Sequence, residues 1–195
     1  PQGPLFREAD PIDFQHVSIL VEGDNYAGGG GGGTAVFDTD LDGHADIFFT
    51  QNNGCNALFL GAGDGTFAQT TISPELEACE RSTNGAVPTN LNHDEWQDLV
   101  VFHQTDLVTS HRLEVFLGGP DGFTSSQVLQ EEARTYSIHT GDFDGDGNID
   151  LLAMNFLSVP EGGSTGPESE VACNGLYLGA GDGTFRDGLD GLTPA

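Results

Sequence analysis

One short acidic pattern recurs at a fixed interval along this chain and constrains its fold more than any other feature. It opens at Asp38, Asn90 and Asp142, 52 residues apart each time. The first copy runs Asp38-Thr-Asp40-Leu-Asp42-Gly43-His44-Ala-Asp46 and the third Asp142-Phe-Asp144-Gly-Asp146-Gly147-Asn148-Ile-Asp150. The middle copy is degenerate: Asn90-Leu-Asn92-His-Asp94-Glu95-Trp96-Gln-Asp98. A fixed period of this length marks a repeat architecture in which each copy is one supersecondary unit.

The segments around each loop say what that unit is. A short segment precedes each loop, at Thr34 to Phe37, Gly85 to Thr89 and Ile138 to Gly141. An apolar run follows it, Ile47-Phe-Phe-Thr, Leu99-Val-Val-Phe or Leu151-Leu-Ala-Met. These runs are too short for helices and apolar enough for strands buried on both faces, so each acidic loop is the turn of a hairpin. A third strand comes next, and its two outer copies are nearly one string: Cys55-Asn-Ala-Leu-Phe-Leu-Gly-Ala-Gly-Asp-Gly-Thr-Phe67 and Cys173-Asn-Gly-Leu-Tyr-Leu-Gly-Ala-Gly-Asp-Gly-Thr-Phe185. The middle repeat has the looser Leu113 to Phe123. Asp-Gly after an apolar run signals a hairpin turn, which starts a fourth strand at Phe67, Phe123 and Phe185.

Four short antiparallel strands per unit are the pattern of a β-propeller blade. The paired strings, Gly-Gly-Thr-Ala-Val-Phe-Asp-x-Asp-x-Asp-Gly-x-x-Asp-Ile and then Asn-x-Leu-Phe-Leu-Gly-x-Gly-Asp-Gly-Thr-Phe, resemble the FG-GAP/VCBS repeat of integrin-alpha-like propellers. The resemblance covers roughly residues 28 to 187. It implies a calcium ion in the first hairpin of each blade, and extracellular adhesion, sugar binding or scaffolding more often than catalysis. The expected fold is all-β, with three four-stranded blades in one domain. The blades fall at residues 34–80, 85–130 and 138–187, with an N-terminal strand or latch and a glycine-rich entry at 1–33 and a tail at 188–195.

The acidic loops suit calcium on chemical grounds. That ion takes six to eight hard oxygens, and alternate carboxylates in a tight loop converge on one point. Asp38, Asp40, Asp42 and Asp46 supply such a set with the His44 carbonyl; Asp142, Asp144, Asp146 and Asp150 repeat it with that of Asn148. Position 12, where an EF-hand needs a bidentate glutamate between helices, is Phe49 or Ala153, inside an expected strand. The middle loop, with Asn90, Asn92, Asp94, Trp96 and Asp98 as its candidate ligands, has lost two charges and carries Glu95 where its counterparts have glycine. Affinity follows ligand charge, so this loop is expected to bind weakly or to hold its turn by asparagine hydrogen bonds.

Cys55 precedes a third strand and Cys79 follows a fourth, which brings the two together; a Cys55–Cys79 disulfide is the favoured pairing, with buried free thiols as the alternative. Cys173, two blades on, would find an equivalent partner just past Ala195, so it bonds a neighbour or the chain is a trimmed segment. Propellers close with about four to eight blades. Three therefore call for a homo-oligomer, a filament or the remainder of a longer chain.

Composition limits the partners. Against 31 acidic residues stand five basic ones, all arginine, which gives no surface for a phosphate backbone. Nucleic acid is excluded, and no stretch has the roughly 20 apolar residues that membrane insertion needs. The Gly28–Gly33 run lacks the context of a phosphate loop and reads as a flexible entry. The six histidines show no zinc spacing and are expected on turns or the surface. Trp96 could stack on a sugar ring, and the Ser158–Val171 insertion could carry recognition. No nucleophile sits in a catalytic motif. The expected protein is a secreted or cell-surface, non-enzymatic calcium-binding module for adhesion, recognition of a glycan or protein, or assembly. A lectin of the same type, and a non-catalytic segment of a larger secreted enzyme, are the alternatives.

Overall fold

A computed structural model describes residues 32–51, 54–104, 111–130, 134–156 and 174–189. Strands β1 (Thr34–Phe37), β2 (Asp46–Phe49), β3 (Ala57–Gly61) and β4 (Phe67–Thr70) form the first sheet. A single helical turn, α1 (Pro74–Glu77), leads to β5 (Ser82–Thr89), β6 (Asp98–Gln104), β7 (His111–Leu117) and β8 (Thr124–Gln130). The third sheet holds β9 (Arg134–Gly141), β10 (Asp150–Phe156), β11 (Gly175–Gly179) and β12 (Phe185–Asp187). Each is a four-stranded antiparallel meander in chain order. The first strands lie side by side, β1 against β5 and β5 against β9. This is the arrangement of successive propeller blades.

The middle blade shows why its apolar runs are continuous. Successive side chains of a strand point to opposite faces. On β6, Leu99 and Val101 enter the core shared with the first blade, beside Phe37, Phe48 and Leu58. Val100 and Phe102 enter the core shared with the third, beside Ile138, Leu151 and Phe185. A strand buried on both faces cannot alternate with polar residues, and the sequence Leu-Val-Val-Phe complies. Phe123, expected to open the fourth strand, lies one residue before β8; its ring instead meets Phe37 edge-on, with centroids 6.1 Å apart.

The joint between the first two blades carries the one element the sequence did not announce. Ser73 caps α1 through its side chain, and Pro74 opens the turn with the fixed φ a first helical position favours. Leu76 is then fully buried in the inter-blade core. Cys79 just beyond is disulfide-bonded to Cys55, so the end of the turn is tied to the entry of β3 as the spacing predicted. Asn56, next to it, accepts from Gln51 N through Oδ1 and donates through Nδ2 to Leu76 O and Thr83 Oγ1.

That network runs into a buried ionic group on the second blade. Thr83 Oγ1 lies 3.0 Å from His103 Nδ1, and His103 Nε2 lies 3.9 Å from Glu114 Oε2. His103 is buried rather than on a turn or the surface as expected: it follows Leu99 and Val101 along β6, on the face turned to the first blade. Burial holds its ring neutral, with a pKa lowered to about 4. Burial would push the Glu114 carboxyl up, but the fork of Arg112 at 2.8 and 3.0 Å and the Ser125 hydroxyl at 2.7 Å outweigh it and hold the group below its usual range.

The expected latch in residues 1–31, most of the glycine run, the Ser158–Val171 insertion, Cys173 and the last six residues lie outside the described residues.

Candidate metal centre

The three acidic loops are the β1–β2, β5–β6 and β9–β10 turns, on one end of the blades. In the first, carboxylate oxygens of Asp38, Asp40 and Asp42 lie within 4.8 Å of one another. Backbone amides hold them there: Gly43 N donates to Asp38 Oδ2 at 2.9 Å, Asp42 N to Asp40 Oδ1 at 3.3 Å and His44 N to Asp42 Oδ1 at 2.8 Å. Three like charges so close repel by roughly 1 kcal/mol per pair even in water. Asp38 Oδ1 is moreover buried without a hydrogen-bond partner, which a native structure tolerates rarely. A divalent cation would satisfy that oxygen and reverse the repulsion, so the residues present fit calcium.

The third loop repeats the cluster with Asp142, Asp144 and Asp146, again within 4.8 Å. Here Asp142 accepts three amides, those of Gly145 at 2.7 Å, Asp146 at 3.1 Å and Gly147 at 3.0 Å. Asn148 donates to both oxygens of Asp146, from its backbone at 2.8 Å and from Nδ2 at 2.9 Å, and these bonds lower the Asp146 pKa. Arg186 of β12 places a guanidinium nitrogen 3.6 Å from Asp144 Oδ2.

The middle loop keeps the turn but bonds to itself. Asn92 Nδ2 donates to Asp94 Oδ2 at 2.7 Å, Trp96 N to Asp94 Oδ1 at 2.7 Å, and Asn90 Nδ2 to the Asp94 carbonyl. Amide nitrogens thus stand among the oxygens, and only Asn90 Oδ1 is left buried without a partner. His93 adopts a left-handed conformation and its Nε2 reaches Asn148 Oδ1 of the third loop at 2.9 Å. The middle loop therefore braces its neighbour.

The ninth residue of each loop does something the sequence did not reveal. Asp46, Asp98 and Asp150 are buried, and each bonds two backbone amides. Asp46 accepts from Thr39 N at 2.7 Å and Gly61 N at 2.8 Å, Asp98 from Leu91 N at 2.7 Å and Gly118 N at 2.9 Å, and Asp150 from Phe143 N at 2.7 Å and Gly179 N at 2.8 Å. Each aspartate ties its own turn to the end of the third strand. The donor on the third strand must be glycine, because a Cβ on Gly61, Gly118 or Gly179 would collide with the carbonyl of Ala45, Gln97 or Ile149. The glycine that ends β3 and β11, and that follows β7 directly, is thus the partner of the last aspartate. None of the three belongs to the carboxylate triads of the first and third loops, although accepting amides leaves a carboxylate lone pairs for a cation, as Asp142 of the third triad shows by accepting three. The backbone amides of His44 and Asn148 donate to Asp42 and Asp146.

Blades of four antiparallel strands whose first turn carries a convergent carboxylate cluster define a class of repeat protein. A family model for the FG-GAP-like repeat matches residues 38–101 and 90–153, together more than half of the chain. The protein belongs to the FG-GAP-like repeat family. Each matched window starts at an acidic loop and ends in the second strand of the following blade. No curated protein matches the chain closely enough to count as a relative. No helix among the described residues is long and apolar enough to cross a membrane, and the disulfide points to an oxidising compartment.

Proposed function

We propose that this chain is a calcium-dependent, non-catalytic binding module that works outside the cytoplasm, in adhesion, recognition or self-assembly. The observation that carries the reading is the pair of carboxylate triads, with the unpartnered, buried Asp38 Oδ1 among them. Asp38, Asp40 and Asp42 hold one ion, and Asp142, Asp144 and Asp146 another; the cation supplies neutralisation and rigidity to the turn. The middle loop, with two acids fewer and with Asp94 already bonded by its own amides, takes none. Calcium fixes the ends of the outer blades, and loops or open strand edges then meet a protein, a glycan or further copies of the chain.

A ligand that binds only the folded state stabilises it by about 2.7 kcal/mol per site at a hundredfold excess over Kd. Melting in millimolar calcium against chelator tests this: the melting temperature rises with calcium, and an unchanged melt overturns the reading. Native mass in calcium addresses the mode of action. A multiple of 20.5 kDa supports self-assembly, and a monomer that binds no further copy assigns the edges to another partner.

A further inference from the structure

The first and third loops match in sequence pattern, yet their surroundings differ in charge. Arg186 lies 3.6 Å from Asp144 Oδ2, while its counterpart after the same Gly-Asp-Gly-Thr-Phe string in the first repeat is Ala68. The strand that carries Arg186 is anchored next door, where Gln127 of the middle blade accepts from Phe185 N at 2.8 Å and donates to Phe185 O at 3.1 Å. The two other arginines with described side chains, Arg81 and Arg112, both converge on Glu114. Among the arginines with described side chains, Arg186 is therefore the one that reaches an acidic turn. A second difference runs the same way: Asp142 accepts three amides where Asp38 accepts one and leaves Oδ1 unpartnered.

Building on the calcium reading above, we propose that Arg186 is a built-in counter-ion of the third loop and makes the two cation sites unequal. The first loop fills at lower calcium; the third fills only as the cation displaces the guanidinium from Asp144. The module then has one structural ion and one responsive ion. Arg186 is largely exposed, so its pairing with Asp144 adds little to stability. Against a divalent cation in the same loop its charge still counts, and exposed pairs of this kind translate into about twofold to fivefold in affinity.

Calorimetric titration of the full chain with calcium chloride tests the order. The wild type shows two unequal steps; Asp40→Ala removes the tighter and Asp144→Ala the weaker. Arg186→Gln tightens the weaker step by about twofold to fivefold and leaves the other, Arg186→Lys keeps the wild-type ratio, and Ala68→Arg weakens the tighter step. High salt narrows the gap in the wild type but not in Arg186→Gln. Two steps that Arg186→Gln leaves unchanged, or loss of the tighter step in Asp144→Ala, overturn the counter-ion role while calcium binding stands. No calcium heat from either loop overturns the calcium reading itself.

Discussion

Replacing Asp98 isolates what the ninth loop residue contributes, because the middle loop is the one proposed to hold its turn without an ion. Asp98 is fully buried and receives Leu91 N at 2.7 Å and Gly118 N at 2.9 Å. Asp98→Ala leaves both amides unpaired out of water, at about 1–3 kcal/mol each. Burial of the charge offsets part of that: it raises the Asp98 pKa even against the two amide bonds. The expected net loss is about 2–4 kcal/mol, and roughly half of that for Asp98→Asn, which keeps one acceptor. With a urea slope of about 2 kcal/mol/M, the unfolding midpoint of Asp98→Ala falls by about 1–2 M with the slope unchanged. The loss is the same in calcium and in chelator. A loss under about 1 kcal/mol would refute the clamp. A loss seen only in calcium would make Asp98 a cation ligand and the middle loop a third site.

Two further perturbations probe the joint between the first two blades. His103 has a folded pKa of about 4 against 6.5 unfolded, so between those values the unfolded chain binds more protons. Stability is complete above pH 6.5 and falls as the pH drops towards 4, by about 3 kcal/mol over the window; urea midpoints against pH show the slope, and His103→Gln flattens it. An equal slope in that variant assigns the acid sensitivity elsewhere. The Cys55–Cys79 bond spans 24 residues; Cys79→Ser costs about 3 kcal/mol by chain entropy, read from the same midpoints, and an unchanged midpoint contradicts a structural role for the bond.

The fold was legible because its signals are local and repeated. Short apolar runs, Asp-Gly turns and a constant spacing specify hairpins in register, and hairpins bring Cys55 to Cys79. The site was legible only in part. An aspartate that faces an ion and one that receives two amides are the same letter, so the clamp that Asp46, Asp98 and Asp150 form with the glycine ends of the third strands was not legible beside their expected role as ligands. Arg186 and His93 reach the third loop from another strand and another blade, which spacing along the chain does not show. His103 read as a surface residue because the face of β6 turned to the first blade becomes polar only at the end where Asn56 and Thr83 meet it.

The account rests on two cations per chain, held by the first and third loops. Native mass spectrometry of the chain equilibrated in millimolar calcium counts them directly. It should show two bound ions, falling to one in Asp40→Ala or Asp144→Ala and to none in the double variant. A chain that carries none, or a third ion that survives the double variant and is lost with Asn90→Ala, contradicts it.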